Sequence, residues 1–120
     1  MDEYYMEAIE MKTPQVKKTV AKRKEVFEYL KKVASEKRTA TYKEIGLAVD
    51  LWHRALSHPL YFIWRKCNDH NFPELNAIAV NGKTKRPGSN CPELAGKWED
   101  VRDDVFAFPW NTISFEDLIK

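Results

Sequence analysis

Thr41-Tyr42-Lys43-Glu44 restricts the folding of this chain more tightly than any other segment. Threonine followed three residues later by glutamate is a capping box. The hydroxyl accepts from the Glu44 amide, and the Glu44 carboxylate accepts from the Thr41 amide. Two of the free N–H groups at a helix start are then satisfied locally, so the start is fixed at one residue. Ile45, Leu47, Ala48 and Val49 behind the box predict a short apolar helix that stops around Asp50.

Upstream, Pro14 suits the first turn of a long helix, with Thr13 as its cap. Val16, Val20, Phe27, Leu30 and Val33 recur at helical spacing, and Val26 and Tyr29 widen the stripe. That helix is expected to end near Ser35–Arg38. Residues 2–11 read as a short preceding helix, with Tyr5, Ile9 and Met6 on one face.

Downstream, a second helical stretch covers about 51–70, with Leu56, Leu60, Ile63 and Cys67 spaced by four, three and four. Pro59 falls inside it, and proline is costly in a helix interior. Either the helix begins at Pro59 with Ser57 or His58 as cap, which is preferred, or it kinks there. Asn71-Phe72-Pro73 breaks the helix, and residues 75–80 (Leu-Asn-Ala-Ile-Ala-Val) read as a buried strand. Asn81-Gly82 is a strong hairpin signal, making residues 83–88 the tip or returning arm of a β-hairpin. Trp98, Val101, Val105 and Phe108 predict a last substantial helix. Phe106, Phe108 and Trp110 form an aromatic tail expected on the core, and Ser114 caps a final turn at 115–120.

At 120 residues, with 43% hydrophobic residues, four Trp, five Tyr and six Phe, the chain can build one real core. The expectation is a single α+β, mainly helical domain over 1–120: core 14–90, then a C-terminal helical extension 91–120. No apolar run approaches the roughly 20 residues needed to span a bilayer. The acidic start Met1-Asp2-Glu3-Tyr4-Tyr5 lacks the pattern of a secretory signal. A cytoplasmic or nucleoid-associated protein is expected, neither secreted nor in the membrane. Cys67 and Cys91 make no disulfide framework and read as free thiols.

Net charge is only +2, but it is unevenly spread. Residues 1–11 carry four acids and no base, residues 12–43 carry eleven bases against three acids, and residues 98–120 carry two bases against six acids. Such a concentration can bind a polyanion even when the total is small, and it equally describes a lysine-rich solvated helix.

The element order is a long basic helix, a short capped helix, a turn, a second helix and a basic-tipped hairpin. That is the order of a winged helix-turn-helix, whose second helix enters the major groove while flanking elements hold phosphates. Lys83, Lys85 and Arg86 would be phosphate or minor-groove contacts on the wing. His53, Arg54, Ser57 and His58 lie at the start of the groove helix. The amides of Tyr42 and Lys43, at a capped helix N-terminus, are natural phosphate ligands. Alternatives stand beside these roles: Tyr42 packing on the preceding helix, Arg54 pairing with Asp50, and the wing cations acting only as solubilisers.

From Val26 to Gly88 the sequence resembles the DNA-binding domain of the alkylguanine DNA alkyltransferases and their alkyltransferase-like relatives. Residues 26–33 (Val-Phe-Glu-Tyr-Leu-Lys-Lys-Val) are similar to the family's helix before the turn. Thr41-Tyr42-Lys43-Glu44-Ile45-Gly46 resembles its tyrosine segment, and Arg54-Ala55-Leu56-Ser57 its Arg-Ala-Val-Gly motif. The resemblance implies that Tyr42 rotates a phosphate and that Arg54 fills the gap left by a flipped base. It also implies a departure: Asn76 stands where the nucleophilic cysteine would be, and Ala77 replaces the histidine that activates it. Alkyl transfer needs a thiolate and a proton acceptor, so no catalytic residue is expected. No pocket for a base is recognisable in the sequence. The segment from Leu75 to Gly88 also resembles small uncharacterised proteins of phages and mobile elements.

Other chemistries are weaker. Cys67, His70 and Cys91 supply metal-ligand types, but only the first two share helical spacing and no Cys-x-x-Cys exists, so no metal or other cofactor is expected. Glu99, Asp100, Asp103 and Asp104 read as a solvated acidic face rather than a nuclease centre. The expected partner is double-stranded DNA. The alternative is a protein-interaction module of phage type that inhibits a host enzyme or defence system, with the acidic termini docking on a protein.

Overall fold

The computed structural model describes residues 20–89 and 91–120. In chain order they form α1 (Arg23–Ser35), β1 (Ala40–Thr41), α2 (Tyr42–Val49), a 3-10 turn (His53–Leu56), α3 (Ser57–Asp69), a second 3-10 turn (Leu75–Ile78), β2 (Ala79–Val80), α4 (Trp98–Ala107), a third 3-10 turn (Trp110–Thr112) and α5 (Phe115–Ile119). The described part is mainly helical, and β1 and β2 are a two-stranded parallel sheet, with Ala40 opposite Ala79 and Thr41 opposite Val80. The proposed 2–11 helix and the Thr13-Pro14 start lie outside the described residues.

The apolar stripe of α1 places Val26, Phe27, Leu30 and Val33 fully inside. They pack against α3, α2 and the 75–78 turn. Each such side chain contributes about 1.5–3 kcal/mol relative to exposure. The Thr41 capping box forms, with Thr41 Oγ1 accepting from Glu44 N at 3.1 Å, and Ser114 caps the last helix in a second box that the structure adds, its Oγ accepting from Asp117 N at 3.0 Å. α2 ends at Asp50, which takes a left-handed conformation with φ 56°. α3 starts at Ser57, two residues before Pro59, without a side-chain cap. Pro59 is the third helical residue, where the backbone N–H would have had no partner inside the helix, so it neither kinks nor breaks α3.

Two expectations are corrected. Residues 75–80 are a strand only at Ala79–Val80, because β1 offers just two residues before the capping box turns the chain into α2. Leu75–Ile78 instead tightens into a 3-10 turn, with Ala77 N donating to Glu74 O at 2.9 Å. The Asn81-Gly82 signal is a turn, but no strand returns from it. Asn81 Oδ1 accepts from Lys83 N (2.8 Å) and Thr84 N (3.3 Å), and Asn81 N donates to Arg86 O (2.8 Å). The left-handed residue is Lys85, φ 60°, and not Gly82.

The C-terminal segment completes the core rather than extending from it. Val105, Trp110 and Leu118 belong to the same buried cluster as α1 and α3. Trp110 meets Phe27 edge-on at 6.4 Å, and its indole N–H donates to Val105 O at 2.8 Å. Phe106 and Phe108 pack against the same cluster, half-buried. Of the four residues expected on a solvated acidic face, Asp100, Asp103 and Asp104 are exposed, while Glu99 is partly covered and engages Arg86. Among the described residues no helix is long and apolar enough to cross a membrane.

Candidate nucleic-acid interface

The corner between α2 and α3 is built on close backbone approach. A Cβ on Gly46 would lie 2.5 Å from Leu51 O and 3.3 Å from the Cα and N of His53. Glycine therefore lets the 51–53 segment cross directly over α2. Leu51 turns inward and is buried, which leaves Trp52, His53 and Arg54 outside. The Arg54 guanidinium lies 5.5 Å from the centre of the Trp52 ring, and Arg54 makes no ion pair with Asp50.

Tyr42, the first residue of α2, projects from the capped end toward the chain that follows β2. Its hydroxyl accepts from Gly88 N at 2.7 Å. A Cβ on Gly88 would sit 3.4 Å from the Tyr42 ring, so the backbone there runs against the phenol. Burial pushes the phenol above its ordinary pKa and the Gly88 amide offsets part of that, so it stays neutral.

Between these elements lies a cavity of about 370 Å³, within the roughly 300–1,000 Å³ typical of small-ligand sites. Tyr42, His53, Arg54 and Ser57 line it together with Asn81, Gly88, Ser89, Cys91 and Pro92. Asn76 is part of the lining and is 3% exposed. Its Nδ2 approaches Cys91 Sγ at 3.8 Å, while its Oδ1 is buried without a hydrogen-bond partner. The Cys91 thiol donates to Pro92 O at 3.3 Å, which leaves the sulfur as the acceptor for Asn76. Burial, and the Glu74 carboxylate after it, push the Cys91 thiol up, so it is not the thiolate that nucleophilic chemistry needs.

The sequence-read site residues separate into three groups. Tyr42, His53, Arg54 and Ser57 converge on the cavity. Lys43 is exposed and lines a separate groove with Leu47 and Trp52, and Lys83 and Lys85 are exposed on the turn between Asn81 and Gly88, both of which line the cavity. Among the described residues none of these three lysines has an acidic partner, and neither has Arg54. His58 and Arg86 fall elsewhere. His58 is half-buried, its pKa lowered by burial and by Arg23. Arg86 is engaged by Glu99 and lies 5.0 Å from the centre of the Trp98 ring. The metal-ligand types are held in separate roles: Cys67 is buried, its thiol pushed up to about 12 by burial, and His70 Nε2 is 2.9 Å from Leu118 O.

Sequence reasoning missed Trp52, Tyr61, Asn81 and the 88–92 segment as parts of this corner. Trp52 carried a signal, an aromatic directly before His53-Arg54 and outside the apolar period. Ser89, Cys91 and Pro92 carried none, because long-range contacts, the Tyr42–Gly88 bond and the approach of Asn76 to Cys91, bring this part of the chain in. No protein-family model, no curated protein and no solved structure matches this chain.

Proposed function

We propose that the protein is a non-catalytic DNA-binding protein of helix-turn-helix type that contacts duplex DNA through the α2–α3 corner and the 82–85 turn, which takes the place of a wing, in a regulatory or modification-sensing role. One observation carries this reading. Among the described residues, Lys43, Arg54, Lys83 and Lys85 are exposed cations without acidic partners at this corner, whereas Lys22, Lys24, Lys31, Arg38, Arg86, Arg102 and Lys120 are paired with carboxylates; Lys32, Lys37 and Lys97, on or beside α1 and α4, are likewise exposed without a carboxylate partner. Cations left free around one corner can exchange with the counterions of a phosphate backbone. The cavity beside Arg54 supports the sensing role that the alkyltransferase-like resemblance implies, since it offers room for a base at that corner.

Four phosphate contacts give a salt slope of about −3.6 in log–log form, so duplex affinity falls about a hundredfold between 50 and 200 mM salt. Retardation of a labelled random duplex across that range is the test, and no shift at low salt removes the reading. Arg54→Ala lowers the slope by about one. Lys31→Ala leaves it unchanged, because Lys31 is tied to Glu28 and to Ile113 O. Equal losses in both variants refute the assigned surface. Protein mass stays unchanged after incubation with alkylated-guanine DNA, and a stoichiometric adduct refutes the non-catalytic assignment.

A second reading, a protein-interaction module that inhibits a host enzyme or defence system, is favoured by the exposed Leu47 and Trp52 (78% and 61%). Absence of DNA binding combined with capture of a defined protein partner selects it.

A further inference from the structure

We propose that Trp52, with Leu47 beside it, is a stacking platform for an unpaired nucleobase, so that the protein holds locally disrupted DNA more tightly than intact duplex. The inference rests on the DNA-binding reading above and adds a substrate class to it.

Both side chains are outside by construction. Ile45, Gly46 and Val49 form the buried face of α2, which leaves Leu47 opposite them. Leu51 takes the core position after the left-handed Asp50, so the next residue, Trp52, points outward. The two line a groove of about 310 Å³ together with Lys43, Asp50 and His53.

Charge complementarity selects the partner. Lys43 lines the groove without an acidic partner, and Arg54 holds its guanidinium over the Trp52 ring. Asp50 is the one carboxylate lining the groove. An exposed aromatic flanked by Lys43 in the groove lining and by the Arg54 guanidinium 5.5 Å from its ring centre fits a chain that alternates phosphates with flat apolar rings. Base–aromatic stacking is sequence-tolerant, since every base has a π face, and a nearby arginine strengthens it. In intact duplex the bases are already stacked on one another, and inserting an apolar wedge costs unstacking energy. A bulged or unpaired base is free of that cost.

The test compares a duplex carrying one bulged thymidine with the same duplex fully paired, at moderate salt, for the wild type, Trp52→Ala and Trp52→Phe. The wild type should bind the bulged duplex about 5- to 150-fold more tightly. Trp52→Ala should lose that preference and keep its salt slope on paired duplex, and Trp52→Phe should recover most of it. Trp52 is exposed, so unchanged thermal melting verifies that the variants fold. Independently of any substitution, bulged duplex should protect wild-type tryptophan emission from iodide more than paired duplex does. Equal affinity of the wild type for both duplexes, or a preference that survives in Trp52→Ala, overturns the inference while salt-dependent binding stands. No binding to either duplex overturns it together with the DNA-binding reading.

Discussion

Gly46→Ala sets two known effects against each other at the α2–α3 corner. Alanine in place of a helical glycine stabilises by about 0.8–1.0 kcal/mol through backbone entropy and helix propensity. Against this, the new methyl would lie 2.5 Å from Leu51 O, a backbone atom that no rotamer change can move. Relief requires displacing the segment from Asp50 to His53, where Asp50 already holds a left-handed conformation and Leu51 is anchored in the core. Overpacking of this kind costs about 1–3 kcal/mol when side chains can share the strain, and here the backbone alone takes it, so the upper end applies. The expected net loss is about 1–2 kcal/mol, read as a melting temperature lower by about 4–8 °C per kcal/mol. Thermal melting and urea titration measure it, with the urea midpoint lowered and the slope unchanged. A variant as stable as the wild type, or more so, refutes the close crossing of 51–53 over α2.

Asn76→Leu removes a buried oxygen that has no partner and substitutes an apolar side chain of similar size. An orphaned buried acceptor costs about 1–3 kcal/mol, so this variant should gain about 1 kcal/mol, seen as a higher urea midpoint; a lower midpoint counters the assignment of Oδ1 as unsatisfied. His58 supplies a pH dependence. Its pKa in the folded protein is lowered, by burial first and by Arg23 second, so the unfolded chain binds protons more readily. Stability should therefore be full above the unfolded value of about 6.5 and fall as pH drops from there toward the lower folded value. His58→Gln should flatten the stability profile over that window, and an unchanged profile counts against the burial of this imidazole.

Local chemistry made much of the fold legible. Thr41 announced its helix by a capping box and Ser114 by its place as a cap, since both are satisfied within four residues, and Asn71-Phe72-Pro73 marked the end of α3 without help from distant parts of the chain. Residues 75–80 were misread because a short apolar run is compatible with more than one backbone, and the decision lay in the two-residue length of β1 some 35 positions earlier. The same limit applies to the corner. Tyr42 and Arg54 were legible from their positions beside a capped start and a turn. Their cavity was not, since part of its lining is held by the Tyr42–Gly88 hydrogen bond, and Arg86 was lost to a carboxylate thirteen residues away on α4.

The short parallel pairing of Ala40–Thr41 with Ala79–Val80 also bears on the order in which the molecule matures. A nascent chain released up to the end of α3 has both helices of the corner but nothing for β1 to lie against. That rung closes only after another ten residues have emerged, and Gly88 must follow before the Tyr42 hydroxyl finds its amide. Separations of this size slow the search for native pairings. A truncated product stopping near Asp69 would lack Leu75, Ile78, Val105, Trp110 and Leu118 of the buried cluster as well as both pairings, so its helices would have little to pack against and the corner could not yet be set.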